Sequence, residues 1–264
     1  MKIENPLISI ITVSFNSAKT IEKTILSVLN QTYKNIEYII IDGRSTDGAV
    51  EIIKKYNDRI FYWVSEKDNG ISDAFNKGIT ASHGEIIGII NSDDWYESDT
   101  IETIVNLDSI NNVDFYVGAL RFWRNENQNE IIYPDIKYKK KILYYMPHLN
   151  HPASFFKKDV YNEVGLFNTK YKYAMDYDLF LRAHLNNKKG IFTNKILSNM
   201  LTGGISNIQT KKVCKEVLLI SENKTMGFVW YIIFMIRRNI KNIIIVLGGY
   251  RLLFFIKSHL FSKK

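Results

Sequence analysis

The chain has 264 residues, of which 46% are hydrophobic and 23% are charged, with 14 glycines and 4 prolines, so a disordered or collagen-like protein is excluded. Its single cysteine, Cys214, excludes a disulfide framework and a cysteine-rich zinc module, and fits a reducing compartment. The net charge of +8 is unevenly placed: seven of the 35 basic residues and none of the 27 acidic residues follow Thr225. A nearly neutral body therefore precedes a basic tail, and this neutrality argues against a nucleic-acid binder.

Short β-branched runs alternate with helical patterns over the first 120 residues. Near-continuously apolar runs predict strands buried on both faces at Leu7–Ser14, Ile36–Ile41, Ile60–Val64 and Glu85–Ile90. The N-terminal run has no long apolar stretch after a basic start, so we expect no signal peptide. Apolar residues at helical spacing predict helices at Ala18–Leu29, Thr46–Tyr56 and Ile71–Ser82. This alternation predicts βαβ units and an α/β fold with a mostly parallel central sheet.

The pattern loosens after residue 120. Strands are predicted at Val113–Leu120, Glu130–Tyr133 and Ala153–Phe156, and a helix at Tyr177–Asn187.

The C-terminal tail is basic and hydrophobic. Its longest uncharged stretch, Thr225–Ile236, has twelve residues, whereas a membrane-spanning helix needs about 20. Aromatic residues interleaved with Arg and Lys predict helices that lie on an anionic membrane surface. Two alternatives stay open: a helix pair packed on the body, and a contact in a homodimer.

Carboxylates follow three of the four N-terminal strands, at Asp42, at Glu66–Asp68 and in the turn Asn91–Asp94. Ligands bind at the carboxyl ends of parallel strands. Carboxylates there suit a divalent cation that holds phosphates, or hydrogen bonds to a base and ribose. The first strand is followed by neither GxGxxG nor GxxxxGK[ST], which weighs against a dinucleotide dehydrogenase and a P-loop NTPase. The Asn91–Asp94 turn alone would also fit a solvated helix cap.

Five segments in order carry a resemblance to a known family. They are ISIITVSFN (8–16), IIIDGRSTDG (39–48), DNGISDAFNKG (68–78), GEIIGIINSDD (84–94) and MDYDLFLR (175–182). Together they resemble the family 2 glycosyltransferases of the GT-A fold, and within it the bacterial enzymes that build O-antigen, capsule or exopolysaccharide. The resemblance spans roughly residues 6–205.

The resemblance implies an inverting, metal-dependent enzyme. It would move a sugar from a UDP-sugar to a hydroxyl of a saccharide acceptor linked to a polyprenyl-diphosphate lipid. It implies a GT-A catalytic domain over 1–208, with a nucleotide-sugar-binding part at about 1–118 and an acceptor-binding part at about 119–208. The helical, membrane-associating tail would be 209–264, which places the enzyme in the cytoplasm, on the inner face of the bacterial membrane.

The resemblance also assigns residues of the donor site. Uracil would be held by Thr12, Val13 and Asp42; ribose, sugar and phosphates would lie along Asp73, Asn76 and Lys77; Asp93 would reach ribose or sugar hydroxyls. Asp94 would bind Mn²⁺ or Mg²⁺, with the diphosphate completing the coordination. The sequence departs from the family twice: many relatives have Asp at Asn91, and many have a basic residue at Phe75.

Asp176 matches the family's general base, which a sugar hydroxyl needs in order to attack. Asp176 could instead be the N-cap of the following helix. Residues that would meet the acceptor are His151, Trp95 and Asp178, although Asp178 could simply pair with Arg182 four residues on.

Further candidates are less specific. Trp95, Trp123 and Tyr173 could stack on sugars or belong to the core. The loop Gly203–Ser206 resembles the family's loop near the donor, and a plain surface loop is equally consistent.

Two other classes remain open. A sugar nucleotidyltransferase should carry a glycine-rich, Lys- or Arg-bearing loop after the first strand, and Ser14–Ser17 lacks it. A non-catalytic membrane scaffold would tolerate loss of both Asp94 and Asp176.

Overall fold

The computed structural model describes residues 5–111, 113–201 and 210–236 and places its strands in one nine-stranded sheet. The strands are β1 (Ile8–Ser14), β2 (Ile36–Asp42), β3 (Tyr62–Ser65), β4 (Ile86–Asn91), β5 (Trp95–Tyr96), β6 (Phe115–Asn125), β7 (Gln128–Ile132), β8 (Ser154–Lys157) and β9 (Gly190–Leu201). The helices are α1 (Ile21–Leu29), α2 (Ala49–Lys55), α3 (Ile71–Ala81), α4 (Thr100–Ile110), α5 (Tyr138–Lys141), α6 (Lys158–Val164), α7 (Met175–Leu185), α8 (Thr210–Ile220) and α9 (224–236). Two short 3₁₀ helices lie at Asn57–Arg59 and His151–Ala153.

The sheet runs in the order β3-β2-β1-β4-β8-β6-β9-β5, with β7 beside β6. Neighbours among β3, β2, β1 and β4 are parallel, and so are β6 and β9. Strand β8 joins these two groups by pairing antiparallel with both β4 and β6. Strand β5 pairs antiparallel with β9, and β7 pairs antiparallel with β6. The predicted α/β fold with a mostly parallel central sheet and C-terminal helices is confirmed.

Two apolar cores lie on opposite faces of the sheet. In β1, Ile11 and Val13 pack into one core, with α3 and α7, while Ile8 and Ile10 pack into the other, with α1 and α4. Because both faces are covered, the central strands are apolar at nearly every position, which is the pattern that made them predictable.

The first tail helix is packed on the body. Cys214, Val217 and Ile220 of α8 are buried, and the last two belong to the core that contains α7. In α9, Trp230 stacks on Tyr145 with ring centroids 5.3 Å apart. No helix in the described ranges is long and apolar enough to cross a membrane.

Some sequence predictions fall on other parts of the chain. The Gly203–Ser206 loop, the proposed boundary at 208 and all seven basic residues of the tail lie outside the described residues. The boundaries at 118 and 208 stay predictions.

Candidate active site

The C-terminal ends of β1, β2 and β4 meet at one edge of the sheet. In the strand register Ser14 faces Asp42, and Val13 lies between Ile41 and Asn91. Topology thus brings Thr12, Val13, Asp42, Asp93 and Asp94 to one edge. The Thr12 side chain is buried and its hydroxyl lies 3.0 Å from the Tyr38 hydroxyl, so Thr12 can offer only backbone there.

Asp42 organises the loop after β2. Its buried carboxylate accepts hydrogen bonds from the Ser45 N–H at 2.9 Å, the Ser45 hydroxyl at 2.5 Å and the Ser65 hydroxyl at 2.6 Å. The Ser45 hydroxyl also accepts the Asn16 N–H at 2.8 Å, which ties the loop after β1 to the loop after β2. The edge is therefore held by cross-loop hydrogen bonds.

Two features near this edge were not singled out from the sequence. Phe15, the first residue after β1, is 67% exposed. Gly43 lies so close to Asp68 that a Cβ on Gly43 would come within 2.6 Å of the Asp68 Oδ2 atom. The sequence signal for Phe15 was available, since a large aromatic residue directly followed a buried strand.

The acidic turn contains buried oxygens that lack partners. Asp94 is 1% exposed, and in the described part of the chain its Oδ1 atom and the Asn91 Oδ1 atom have no hydrogen-bond partner. Burial raises the pKa of Asp94 well above its usual value, and the neighbouring charge of Asp93 raises it further. Burial also raises the pKa of Asp93, which is the more exposed of the pair.

This turn fits a divalent cation, because orphaned carboxylate and amide oxygens are the ligands that Mg²⁺ and Mn²⁺ prefer. Within the described ranges no group of three or more His, Cys, Asp or Glu side chains could hold a metal alone.

The predicted donor residues of α3 line a cavity of about 450 Å³ together with Glu66. The Lys77 ammonium is 2.6 Å from a Glu66 carboxylate oxygen and 3.9 Å from Asp73. Glu66 raises the pKa of Lys77, which keeps Lys77 charged. The Asn76 amide instead exchanges two hydrogen bonds of 2.9 Å with the backbone of Phe167. Lys77 and Asn76 are thus already engaged by the protein.

Asp176 lies in the first turn of α7. The helix begins at Met175, earlier than predicted, and Ala174 is its N-cap, so the N-cap alternative for Asp176 is wrong. Its Oδ1 atom accepts the Tyr177 N–H at 2.8 Å. Burial raises the pKa of Asp176 to about 6, and the charge of Glu216 adds to this.

The segment before α7 is attached to α3. The Ser72 hydroxyl donates to the Tyr171 carbonyl at 3.0 Å, and Asn76 holds Phe167 as described above. These contacts place the start of α7, and with it Asp176, beside the helix that carries the predicted donor residues.

Asp178 forms the expected ion pair. It is 8% exposed and receives the Arg182 Nε atom at 2.9 Å and Nη2 at 2.8 Å. Its contact with an acceptor stays a prediction.

The remaining acceptor candidates are also held by neighbours. The His151 ring stacks on Phe75 at 5.2 Å, and burial lowers the pKa of His151 to about 4, so it is neutral near pH 7. The ring of Trp95 lies 3.0 Å from the Lys23 ammonium and stacks with Trp123 at 6.3 Å. Phe75, the second departure noted in the sequence, is buried and adds no cation.

In fold, the chain is similar to the GT-A glycosyltransferases. A crystal structure of Staphylococcus aureus TarS (residues 1–349) in complex with UDP-GlcNAc matches 81% of this chain and 66% of that one, with a TM-score of 0.63 and 17% identity. A mannosyltransferase from Pyrobaculum calidifontis in complex with GDP-Man and Mn²⁺ matches 81% and 63%, with a TM-score of 0.61 and 16% identity.

Residues 9–165 match the model of glycosyl transferase family 2, and the chain belongs to this family. An uncharacterized glycosyltransferase of Rickettsia typhi is 33% identical over 192 residues, which cover 67% of this chain and 58% of that protein. The chain thus spans somewhat more than half the length of that relative.

Proposed function

We propose that this chain is an inverting glycosyltransferase that moves a sugar from a UDP-sugar to a hydroxyl of a saccharide acceptor. The observation that carries the proposal is Asp176, a carboxylate at the start of α7 whose pKa is raised to about 6. A base with that pKa is ionised at pH 7, and it binds a proton more strongly than an ordinary aspartate does.

The reaction follows from this placement. Asp176 takes the proton of the acceptor hydroxyl while the hydroxyl oxygen attacks the anomeric carbon. The bond from that carbon to the donor diphosphate breaks on the opposite face, so UDP leaves and the configuration inverts.

The sheet edge supports the donor part of the proposal. The loops after β1 and β2, which are joined through Asn16, border Thr12, Val13 and Asp42, where a uracil ring would lie. Asp93 would meet ribose or sugar hydroxyls, and Asp73, Asn76 and Lys77 would flank the sugar and phosphates. The TarS complex with UDP-GlcNAc supports a uridine nucleotide as donor.

Mn²⁺ or Mg²⁺ would be held at Asp94, whose unpartnered oxygen fits a cation, with the half-buried carboxylate of Asp93 beside it. When bound, the metal would stabilise the negative charge that develops on the departing diphosphate. Among the predicted donor residues the only cation is Lys77, and Glu66 already neutralises it. The predicted donor residues thus supply little positive charge for a diphosphate.

A donor and acceptor panel tests the function. The chain is incubated with Mn²⁺ or Mg²⁺, a synthetic saccharide-diphosphate-lipid and each of several UDP-sugars, with GDP-mannose included. We expect one donor to release nucleotide diphosphate faster with acceptor than without it. In a parallel incubation that contains UTP and a sugar phosphate instead of a UDP-sugar, pyrophosphate formation would show the nucleotidyltransferase alternative. Acceptor-independent release with every donor would contradict the proposal.

The acceptor is proposed to be lipid-linked because of the exposed face of α9. Six apolar side chains on one side of this helix are 42–55% exposed: Met226, Phe228, Val229, Ile232, Ile233 and Ile236. The opposite side rests on the body through Gly227 and Trp230. The seven basic residues of the tail follow directly in the sequence. An apolar helix face beside basic residues suits an anionic lipid surface.

Replacing two residues of this face tests the membrane proposal. We expect Phe228→Glu with Ile232→Glu to abolish sedimentation with vesicles that contain phosphatidylglycerol, because two charges would enter the lipid interface. Sedimentation of the wild type with these vesicles should decrease as salt is added. It should also be weaker with vesicles made of phosphatidylcholine alone. Ile110→Glu, at a 78% exposed residue of α4, is the matched control and should still sediment.

Two results would contradict lipid docking. One is unchanged sedimentation of the double variant. The other is loss of a dimer in light scattering while vesicle binding persists, which would make this face a homodimer contact.

A further inference from the structure

The chain before α7 is held by a carboxylate from α8. Glu216 accepts the N–H groups of three successive residues: Tyr173 at 2.8 Å, Ala174 at 2.9 Å, and Lys172 at 3.0 and 3.2 Å to its two oxygens. Helix α7 has no side-chain cap of its own at Ala174. A residue 42 positions later in the sequence therefore accepts the N–H of the N-cap residue, a role that a Glu or Gln at the third helical position plays in a capping box.

We propose that Glu216 is the positioning residue of the general base: it fixes where α7 begins and so holds Asp176 against the acceptor hydroxyl. This inference rests on the proposed function. It extends the catalytic unit beyond residues 9–165, which match the family model, to the first helix of the C-terminal segment.

The segment before α7 is held in place by contacts from two neighbouring helices. On one side, α3 binds the same segment through neutral hydrogen bonds from Ser72 and Asn76. On the other side, α8 is anchored by its buried residues Cys214, Val217 and Ile220, which fix the helix that carries Glu216. The position of Asp176 is thus fixed by contacts from α3 and α8. Of the three side chains that hold the segment, Ser72, Asn76 and Glu216, only Glu216 is charged.

Glu216 also acts on Asp176 through its charge. Two carboxylates at one helix start repel each other, which favours the protonated form of Asp176 and agrees with the direction in which Glu216 moves its pKa. Asp178 on α7 pairs with Arg182, and Glu163 on α6 pairs with Lys188. From α8, Lys212 lies 5.8 Å from the Tyr173 ring.

Two substitutions distinguish the effect of Glu216 on the position of Asp176 from the effect of its charge on the pKa of Asp176. Glu216→Ala removes all the hydrogen bonds. Glu216→Gln removes the charge but keeps one carbonyl oxygen, and a single oxygen of Glu216 already accepts from all three N–H groups. Glu51→Gln, the same change at an exposed residue of α2, is the control.

Hydrogen exchange and enzyme kinetics measure the effect of Glu216 on the position of the segment and of Asp176. For Glu216→Ala we expect faster exchange of the amides of 172–174, and a kcat about 10- to 100-fold lower, because a small misplacement of a catalytic group has effects of that size. KM for the donor found in the panel should change little, and Glu216→Gln should restore most of kcat.

A ¹³C NMR titration of the Asp176 carboxyl, assigned with Asp176→Asn, measures the charge. In Glu216→Gln the midpoint should fall below the wild-type value near 6. The control should match the wild type in all three measurements.

The proposal is overturned if Glu216→Ala keeps the wild-type kcat and local exchange, or if exchange rises equally in β1 and β4, which would show general destabilisation. An active Asp176→Asn would instead refute the base assignment. Exchange and the titration would still show whether Glu216 holds this segment, so the two failures are distinguishable.

Discussion

Asp176→Asn is expected to lower kcat by about 10²–10⁴-fold, the usual contribution of a general base. The amide cannot take the acceptor proton, yet its oxygen can still accept the Tyr177 N–H that holds the wild-type side chain at 2.8 Å. UDP affinity, measured by calorimetry, should stay within about two-fold, because UDP binding does not depend on the base. Asp58→Asn, at an exposed residue of the 3₁₀ helix 57–59, is the matched control.

The same variant should be more stable than the wild type at neutral pH. The pKa of Asp176 is about 6 in the folded chain against 3.8 for the free side chain, so folding disfavours the ionised form. A raised carboxyl pKa contributes stability that is present below pH 3.8 and is lost as the pH rises through about 6. Above that pH, Asp176→Asn should raise the free energy of unfolding by up to about 3 kcal/mol, and below pH 4 by little.

Wild-type activity should fall as the pH drops through about 6, since the base must be ionised. Urea unfolding of the variant and the wild type at pH 4 and pH 8 checks the expected stabilisation. The dependence of wild-type kcat on pH checks the expected loss of activity. An active variant, or one equally stabilised at both pH values, would contradict the role of Asp176.

The central strands could be predicted because a strand covered on both faces, such as β1 or β4, is apolar at nearly every position. Strand β9 could not, since Thr193–Lys195 is polar and the strand pairs with β6 through shifts in register. Helix α7 was placed two residues late because its start depends on Glu216, and no local pattern records an N-terminal acceptor that comes from α8.

Candidate site residues could be named from motifs, but their contacts could not. Asp42 lies at the end of β2 and Asn76 lies on α3, and the structure shows them bound to Ser45, Ser65 and Phe167. The tail was predicted as one membrane-associating unit because it lacks acidic residues after Thr225. Its first helix, α8, precedes that point and instead completes the core around α7.

Asp94→Asn is expected to remove the metal dependence of nucleotide binding. In the wild type, Mn²⁺ should tighten UDP binding by at least about 10-fold, or about 1.4 kcal/mol, because the cation offsets the repulsion between the diphosphate and the turn. In the variant the affinity with and without Mn²⁺ should be nearly equal. Asp93→Asn should cause a similar loss if both carboxylates share the cation, and a smaller one if Asp93 contacts only sugar or ribose hydroxyls.

Thermal stability gives a readout that does not need the reaction. The buried Oδ1 atom of Asp94 has no partner in the described part of the chain, and leaving such a group unpaired costs about 1–3 kcal/mol. Mn²⁺ with UDP should therefore raise the melting temperature of the wild type and leave that of Asp94→Asn almost unchanged. Asn91→Asp, which adds the carboxylate that many relatives carry, should bind Mn²⁺ more tightly than the wild type. If Asp94→Asn kept the full effect of Mn²⁺ on UDP affinity and on melting, the cation would lie elsewhere and Asp94 would be a structural residue of the turn.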